Sequence, residues 1–167
     1  MSKGLDRLGA IRLVAFDIDG VFTDGRFYLS DEGSEAKAFH TQDGYGVRRL
    51  LDAGVEVAVI SGRRSPAVEH RMAELEVRHV VLGCKDKVAA FDELIAGLGI
   101  DATDCAFVGD DMPDLALLEH VGLSIAVANA VQAVQERCDY VTRKPGGFGA
   151  VREVCDLVAA SRSDPAE

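Results

Sequence analysis

LVAFDIDGVFTDG, residues 13–25, is the stretch on which the reading of this chain turns. Leu13–Phe16 is an apolar run too short for a helix, which predicts a buried strand. Asp17, Asp19 and Gly20 follow at once, where the strand must end. Outward from there the same grammar repeats. Val55–Ile60, His79–Leu82, Cys105–Val108 and Leu123–Val127 are further short runs rich in β-branched residues, and Tyr140–Thr142 adds an edge strand. Between them apolar residues recur at helical spacing. Val47, Leu50 and Leu51 precede Gly54; Val68, Met72 and Leu75 share a face; Val88, Phe91, Ile95 and Leu98 precede Gly99. Leu115 and Leu118 precede Gly122, and Val151, Val154, Cys155 and Val158 form the last helical face. This alternation predicts an α/β fold of the Rossmann-like three-layer α/β/α type, with a central parallel sheet.

One stretch breaks the rhythm. Residues 25–41, GRFYLSDEGSEAKAFHT, hold two β-like pieces around a turn-rich centre and predict a hairpin projecting from the sheet. The 167 residues fit a single domain, in which residues 143–160 form a glycine-rich turn and a C-terminal helix and residues 161–167 a flexible tail.

A formal net charge of −10 argues against a nucleic-acid partner, which needs a basic face. No apolar run reaches the length of a membrane span, and the N-terminus lacks the apolar core of a secretory signal. Cys84, Cys105, Cys138 and Cys155 show no C-x-x-C pairing and read as reduced packing residues, so a cytoplasmic location is expected.

Ligands of open parallel sheets bind beyond the carboxyl ends of the strands. There this chain places Asp17 and Asp19, then Ser61, then Lys87 a short loop beyond its strand, then Asp110 and Asp111 with Asp114 close behind. Each alone is a common cap or turn residue. Together they are a carboxylate cluster, and two charges ~4 Å apart repel by about 4 kcal/mol at an effective dielectric near 20. Such a cluster requires a cation or protons. Mg2+ suits all-oxygen ligands and bridges to phosphate, with Asp17, Asp110 and the main-chain carbonyl of Asp19 as candidate ligands. Asp111 and Asp114 either support the metal site or cap the Leu115–Leu118 helix. Asp17 either attacks phosphorus itself or only holds the metal while a bound water attacks. Asp19 would serve as general acid and base, and Ser61 and Lys87 would hold the phosphoryl oxygens.

FDIDGVFTDG (Phe16–Gly25), ISGR (Ile60–Arg63), Lys87 and GDDMPD (Gly109–Asp114) resemble, in order, the four motifs of the haloacid dehalogenase-like superfamily. The resemblance implies covalent attack by Asp17. DGVFTDG, AFHTQDGYGVRRL, SGRRSPAVEHRMAEL and KPGGFGAVREVCDL further resemble a capless, tetrameric branch that dephosphorylates an eight-carbon keto-sugar acid phosphate for bacterial lipopolysaccharide. Asp19 and Ser61 lie 42 positions apart and Ser61 and Lys87 26 apart, which leaves no room for a cap domain. An uncapped site is open to water, so closure by neighbouring subunits is expected, with the hairpin as an oligomer contact. The resemblance also implies that the glycine-rich tail packs over an active site, its own or a neighbour's.

For the sugar acid phosphate, the resemblance implies a pocket of Asp19, His40, Thr41, Gln42, Asp43, Gly44, Arg48, Gly62, Arg63, Arg71 and Lys87. Position 40 departs from the pattern, where Asn is expected. The alternatives are a nine-carbon keto-acid 9-phosphate as substrate, or a non-catalytic binding or oligomerisation module. A receiver domain is disfavoured, because its phospho-accepting Asp would end a middle strand where Ser61 stands. His70, His79 and His120 read as surface or structural residues.

Overall fold

The computed structural model of the chain describes residues 4–162. Six parallel strands form the central sheet: β1 (Leu13–Phe16), β4 (Glu56–Ser61), β5 (His79–Leu82), β6 (Cys105–Gly109), β7 (Leu123–Ala126) and β8 (Tyr140–Val141). Their order is β5-β4-β1-β6-β7-β8. Between β1 and β4 the chain makes the hairpin, β2 (Tyr28–Leu29) paired antiparallel with β3 (Glu35–Ala36). The helices are α1 (Thr41–Asp52), α2 (Pro66–Glu74), α3 (Lys87–Leu98), α4 (Leu115–Leu118), α5 (Gln132–Gln135) and α6 (Ala150–Arg162).

The order explains the layers. From β1 the chain steps outward through α1 to β4 and through α2 to β5. It then returns past β1 to β6 and steps the other way. Right-handed crossovers put helices on opposite faces when the direction of winding reverses. Accordingly α1 packs with α6, while α3 packs with α4. All four residues of β1 are fully buried, as expected for a strand covered on both faces. Phe16 is in register with Val59 on one side and Val108 on the other. The sheet therefore delivers Asp17, Ser61 and Asp110 to one edge, at the point where the winding reverses.

Local chemistry fixes the helix ends. The Asp86 carboxylate accepts the Ala89 N–H at 3.0 Å and starts α3, which stops at Gly99 in the left-handed region, φ 63°. His40 starts α1 through its Nδ1, which accepts the Gln42 N–H at 3.2 Å. An Asn would make the same cap, so the residue at position 40 keeps this job. His79 and His120 bond Glu56 and Asp92, and all four cysteines are free thiols.

Several boundaries differ from the sequence reading. β4 includes Ser61 and β6 includes Gly109, because both still pair with their neighbours. The paired part of the hairpin is only two residues on each strand, and Thr41 already belongs to α1. The one-turn α5 was not foreseen, since QAVQ buries only Val134 and has no apolar period. Ser161 and Arg162 are helical, not tail: the Arg162 guanidinium donates to the Ile11 carbonyl at 2.6 Å and holds α6 to the start of β1. Residues 163–167 lie outside the described residues.

Candidate active site

The loop after β1 is built around main-chain bonds. The N–H groups of Val21, Phe22 and Thr23 converge on the Ile18 carbonyl at 3.1, 2.9 and 3.3 Å. The buried Thr23 hydroxyl accepts the N–H groups of Gly20 and Gly25 at 3.2 and 3.1 Å. Phe22 anchors the loop by an edge-on contact with Phe16, 5.4 Å between centroids. Gly20 has φ 89°, and a Cβ there would stand 1.9 Å from Oδ2 of Asp110. The glycine lets Asp110 approach the loop that carries Asp17 and Asp19.

Asp17 leaves β1 with its Oδ1 accepting the Ile18 N–H at 2.7 Å and lying 3.1 Å from the Lys87 ammonium. Lys87, at the first turn of α3, also pairs with Asp114 Oδ1 at 2.7 Å. The other oxygen of Asp114 accepts the N–H groups of Asp110 and Asp111 at 2.9 and 3.3 Å. Asp111 in turn caps the short 3-10 turn Met112–Asp114. A 330 Å3 cavity opens over this group, bounded also by Asp19, Ser61, Gly62 and Arg63. Ser61 is buried at the end of β4, and its hydroxyl accepts the Arg63 N–H at 3.4 Å.

Burial, with the Asp114 charge beside it, pushes the Asp17 carboxyl up to about 7 despite Lys87. Burial and the charges of Asp114 and Asp17 push Asp110 up to about 8. Lys87 runs the other way: burial alone would lower it, but Asp17 and Asp114 outweigh that and hold it above the ordinary lysine value.

Oxygens of Asp17, Asp110 and Asp114 lie within 4.8 Å of one another. Asp114 already accepts from Lys87 and two N–H groups, which leaves Asp17 and Asp110 the carboxylates of this group freer to take a cation. Two carboxylates driven toward protonation by burial and by the neighbouring Asp114 charge form an all-oxygen site that a hard divalent ion fits.

On the hairpin side, Lys37 was missed in the sequence. Its ammonium bonds Asp19 Oδ1 and lies 3.2 Å from Glu35 Oε1, with the side chain 1% exposed. Glu35 also takes the Arg63 guanidinium at 2.6 Å, which stacks on Phe27 with 4.0 Å to the ring centroid. A lysine just past a two-residue strand has no periodic signal to mark it. Thr23 and Asn129 were missed too, although Asn129 stands just beyond β7, where the strand-end argument would have found it.

The expected sugar-acid residues separate into groups. Asp19, Gly62, Arg63 and Lys87 bound the catalytic cavity. His40, Thr41, Gln42, Asp43 and Gly44 form the start of α1, with the Arg71 guanidinium lying over Gly44; none of these bounds that cavity. Gln42 borders a separate groove with Tyr140, Lys144 and Arg152. Arg48 does not belong with them: it bonds Glu76 and the Leu75 carbonyl in a groove at the opposite edge of the sheet. Two turns of helix carry it away from the start of α1.

Asp43 has a structural task. It is 1% exposed, and its Oδ1 accepts the Arg152 N–H at 2.9 Å, tying the first turn of α6 to α1. Burial raises its carboxyl above the ordinary value. A raised folded-state value contributes stability at low pH that is lost as pH rises through it. Asp43→Asn, which keeps the acceptor without the charge, is therefore expected to hold or raise Tm near neutral pH. Asp43→Ala is expected to cost about 1 kcal/mol in denaturant unfolding. Equal losses in both variants would contradict the capping role.

The glycine-rich segment packs against the β1 loop of its own chain. Gly147 N–H donates to the Val21 carbonyl at 3.2 Å, and Gly146 N–H to Asn129 Oδ1 at 2.6 Å. A Cβ on Gly146 would stand 1.8 Å from the Gly20 carbonyl oxygen, so only glycine permits this approach.

A family model for haloacid dehalogenase-like hydrolases matches residues 79–152. The chain is 49% identical over 148 residues to the 3-deoxy-D-manno-octulosonate 8-phosphate phosphatase KdsC of Escherichia coli (strain K12), covering 89% of this chain and 79% of that protein. The KdsC of Yersinia pestis is 44% identical over 154 residues, 92% of this chain and 82% of that one. Among solved structures, a 3-deoxy-D-manno-octulosonate 8-phosphate phosphatase from Yersinia pestis superposes with TM-score 0.94 at 42% identity, over 96% of this chain and 86% of that chain. The Moraxella catarrhalis phosphatase of the same name, in complex with magnesium, phosphate and KDO, gives TM-score 0.94 at 40% identity over 98% and 94%. The α/β fold, the order of the four motifs and this likeness over nearly the whole chain agree, and the chain belongs to the 3-deoxy-D-manno-octulosonate 8-phosphate phosphatase family of the haloacid dehalogenase-like hydrolases.

Proposed function

We propose that this chain is a magnesium-dependent phosphomonoester hydrolase acting on 3-deoxy-D-manno-octulosonate 8-phosphate through an aspartyl-phosphate on Asp17. The observation that carries the reading is the convergence of Asp17, Asp19, Ser61, Lys87 and Asp110 on one 330 Å3 cavity.

Asp17 and Asp110, with the main-chain carbonyl of Asp19, would hold the magnesium ion. Bound there, it supplies positive charge that keeps Asp17 ionised beside an anionic phosphate. An oxygen of Asp17 attacks phosphorus, and the bond from phosphorus to the sugar oxygen breaks. Asp19 gives that oxygen its proton, releasing the sugar acid as an alcohol. Asp19 then takes a proton from water as the water oxygen attacks the same phosphorus. Asp17 leaves as a carboxylate and inorganic phosphate is released. Lys87 and the Ser61 hydroxyl hold the phosphoryl oxygens throughout and offset their charge. Asp114 and Asp111 support the site: Asp114 aims Lys87, and Asp111 secures the turn that presents Asp110.

Arg63 and Gly62 are the sugar-acid contacts closest to the chemistry, with the α1 start and Arg71 as a second set. We assign no contact to Arg48. The exposed Tyr28 and Leu29 at the hairpin, 73% and 66% accessible, suit a surface covered in a homotetramer. A cytoplasmic location accords with four free thiols and with the absence, among the described residues, of a helix able to cross a membrane.

Phosphate release with magnesium from the eight-carbon and nine-carbon keto-acid phosphates and from hexose phosphates tests the substrate. A kcat/KM at least about tenfold higher for the eight-carbon compound is expected. Equal use of all of them would discard that substrate. Light scattering is expected to give a tetramer, and an active monomer would refute the hairpin contact.

A further inference from the structure

We infer that Lys37 is a positioning residue for the acid–base step, holding the Asp19 carboxyl with one oxygen tied and the other free for the leaving oxygen. This rests on the phosphatase reading above. Lysine side chains are rarely buried without a partner. Lys37 is 1% exposed and has two, Asp19 and Glu35. Its ammonium also lies 5.3 Å from the centroid of the Phe27 ring. Glu35 is itself fixed from the other side by Arg63. The base of the hairpin, the loop after β4 and the Asp19 side chain are thus joined by one chain of charged bonds.

Asp19 needs such a hold. Its side chain is 24% exposed, and among the described residues Lys37 is its only hydrogen-bonding partner. Asp17 by contrast is tied by a main-chain N–H and Lys87. A general acid must sit within hydrogen-bond reach of the atom it protonates, and a free carboxyl samples several rotamers. Lys37 grips Oδ1 alone and leaves Oδ2 for the substrate. Lys37 is not among the residues that bound the cavity, so its effect is felt through Asp19.

The test separates steps by leaving group. A sugar alkoxide needs a proton to depart, whereas p-nitrophenolate leaves without one. Lys37→Met, Lys37→Arg and Glu35→Gln are compared with wild type for leaving-group release in the first turnover, from the sugar acid phosphate and from p-nitrophenyl phosphate. Lys37→Met is expected to slow release from the sugar phosphate about 10- to 100-fold, with KM within about threefold, and from p-nitrophenyl phosphate less than about threefold. Lys37→Arg is expected to recover most of the loss, and Glu35→Gln to show a smaller loss with the same selectivity. Equal losses on both substrates, or none on either, would overturn the inference. If Lys37→Met does not fold, Lys37→Gln is measured in its place on the same two substrates, and an equal loss on both, or none on either, counts against the inference. A wild-type protein inactive on every phosphate would instead sink the phosphatase reading itself.

Discussion

Asp17→Asn is expected to reduce phosphate release by at least about 10^3-fold while leaving the protein folded. The amide cannot attack phosphorus, yet it occupies the same space and can still accept the Ile18 N–H. Its effect on stability runs opposite to its effect on activity. Asp17 is buried beside Asp114 and is driven toward its protonated form. Removing that charge relieves repulsion in the metal-free protein, so Tm without magnesium is expected to stay level or rise. Activity within about tenfold of wild type would end the role of Asp17 as nucleophile. A fall of several degrees in Tm would show instead that the Lys87 pair dominates the local energetics.

Chelating the divalent metal is expected to abolish hydrolysis, and adding magnesium back to restore it. The dependence on pH follows from the raised carboxyls. With Asp17 pushed to about 7 and Asp110 to about 8, both above the value of 3.8 for an unperturbed carboxyl, the metal-free protein keeps protons that magnesium must displace. Their contribution to stability is present at low pH and lost as pH rises through 7 to 8. Magnesium affinity moves the other way and is expected to strengthen by up to about tenfold per pH unit for each proton displaced across that range. The rise in Tm on adding magnesium is therefore larger near pH 8 than near pH 6, which thermal scans in the two buffers would read. A shift independent of pH would mean that Asp17 and Asp110 are not the metal-binding carboxylates.

The sheet was legible because fully buried strands of this fold are short apolar runs, and each one named from the sequence is present within a residue or two. The reactive edge was legible for the same reason: the end of a buried strand marks where its polar successor must emerge, as Asp17, Ser61 and Asp110 do. What stayed hidden depends on tertiary contacts. Lys37 is indistinguishable in sequence from any surface lysine until the hairpin folds back on Asp19. Arg48 and Arg71 both lie on helices beside the expected pocket, but register sends one to Glu76 and brings the other over Gly44. The resemblance alone placed Asp43 along the pocket, and nothing in the sequence pointed to the bond its carboxylate accepts from the N–H of Arg152, 109 positions away.

The covalent role of Asp17 is tested most directly by acid quench during the first turnovers with 32P-labelled substrate and magnesium. The expected result is label on the protein, released by hydroxylamine as an acyl phosphate is, mapping to Asp17 and absent from Asp17→Asn. Labelled phosphate in solution from the earliest quench, with none on the chain at any time, would contradict it and assign the attack to water.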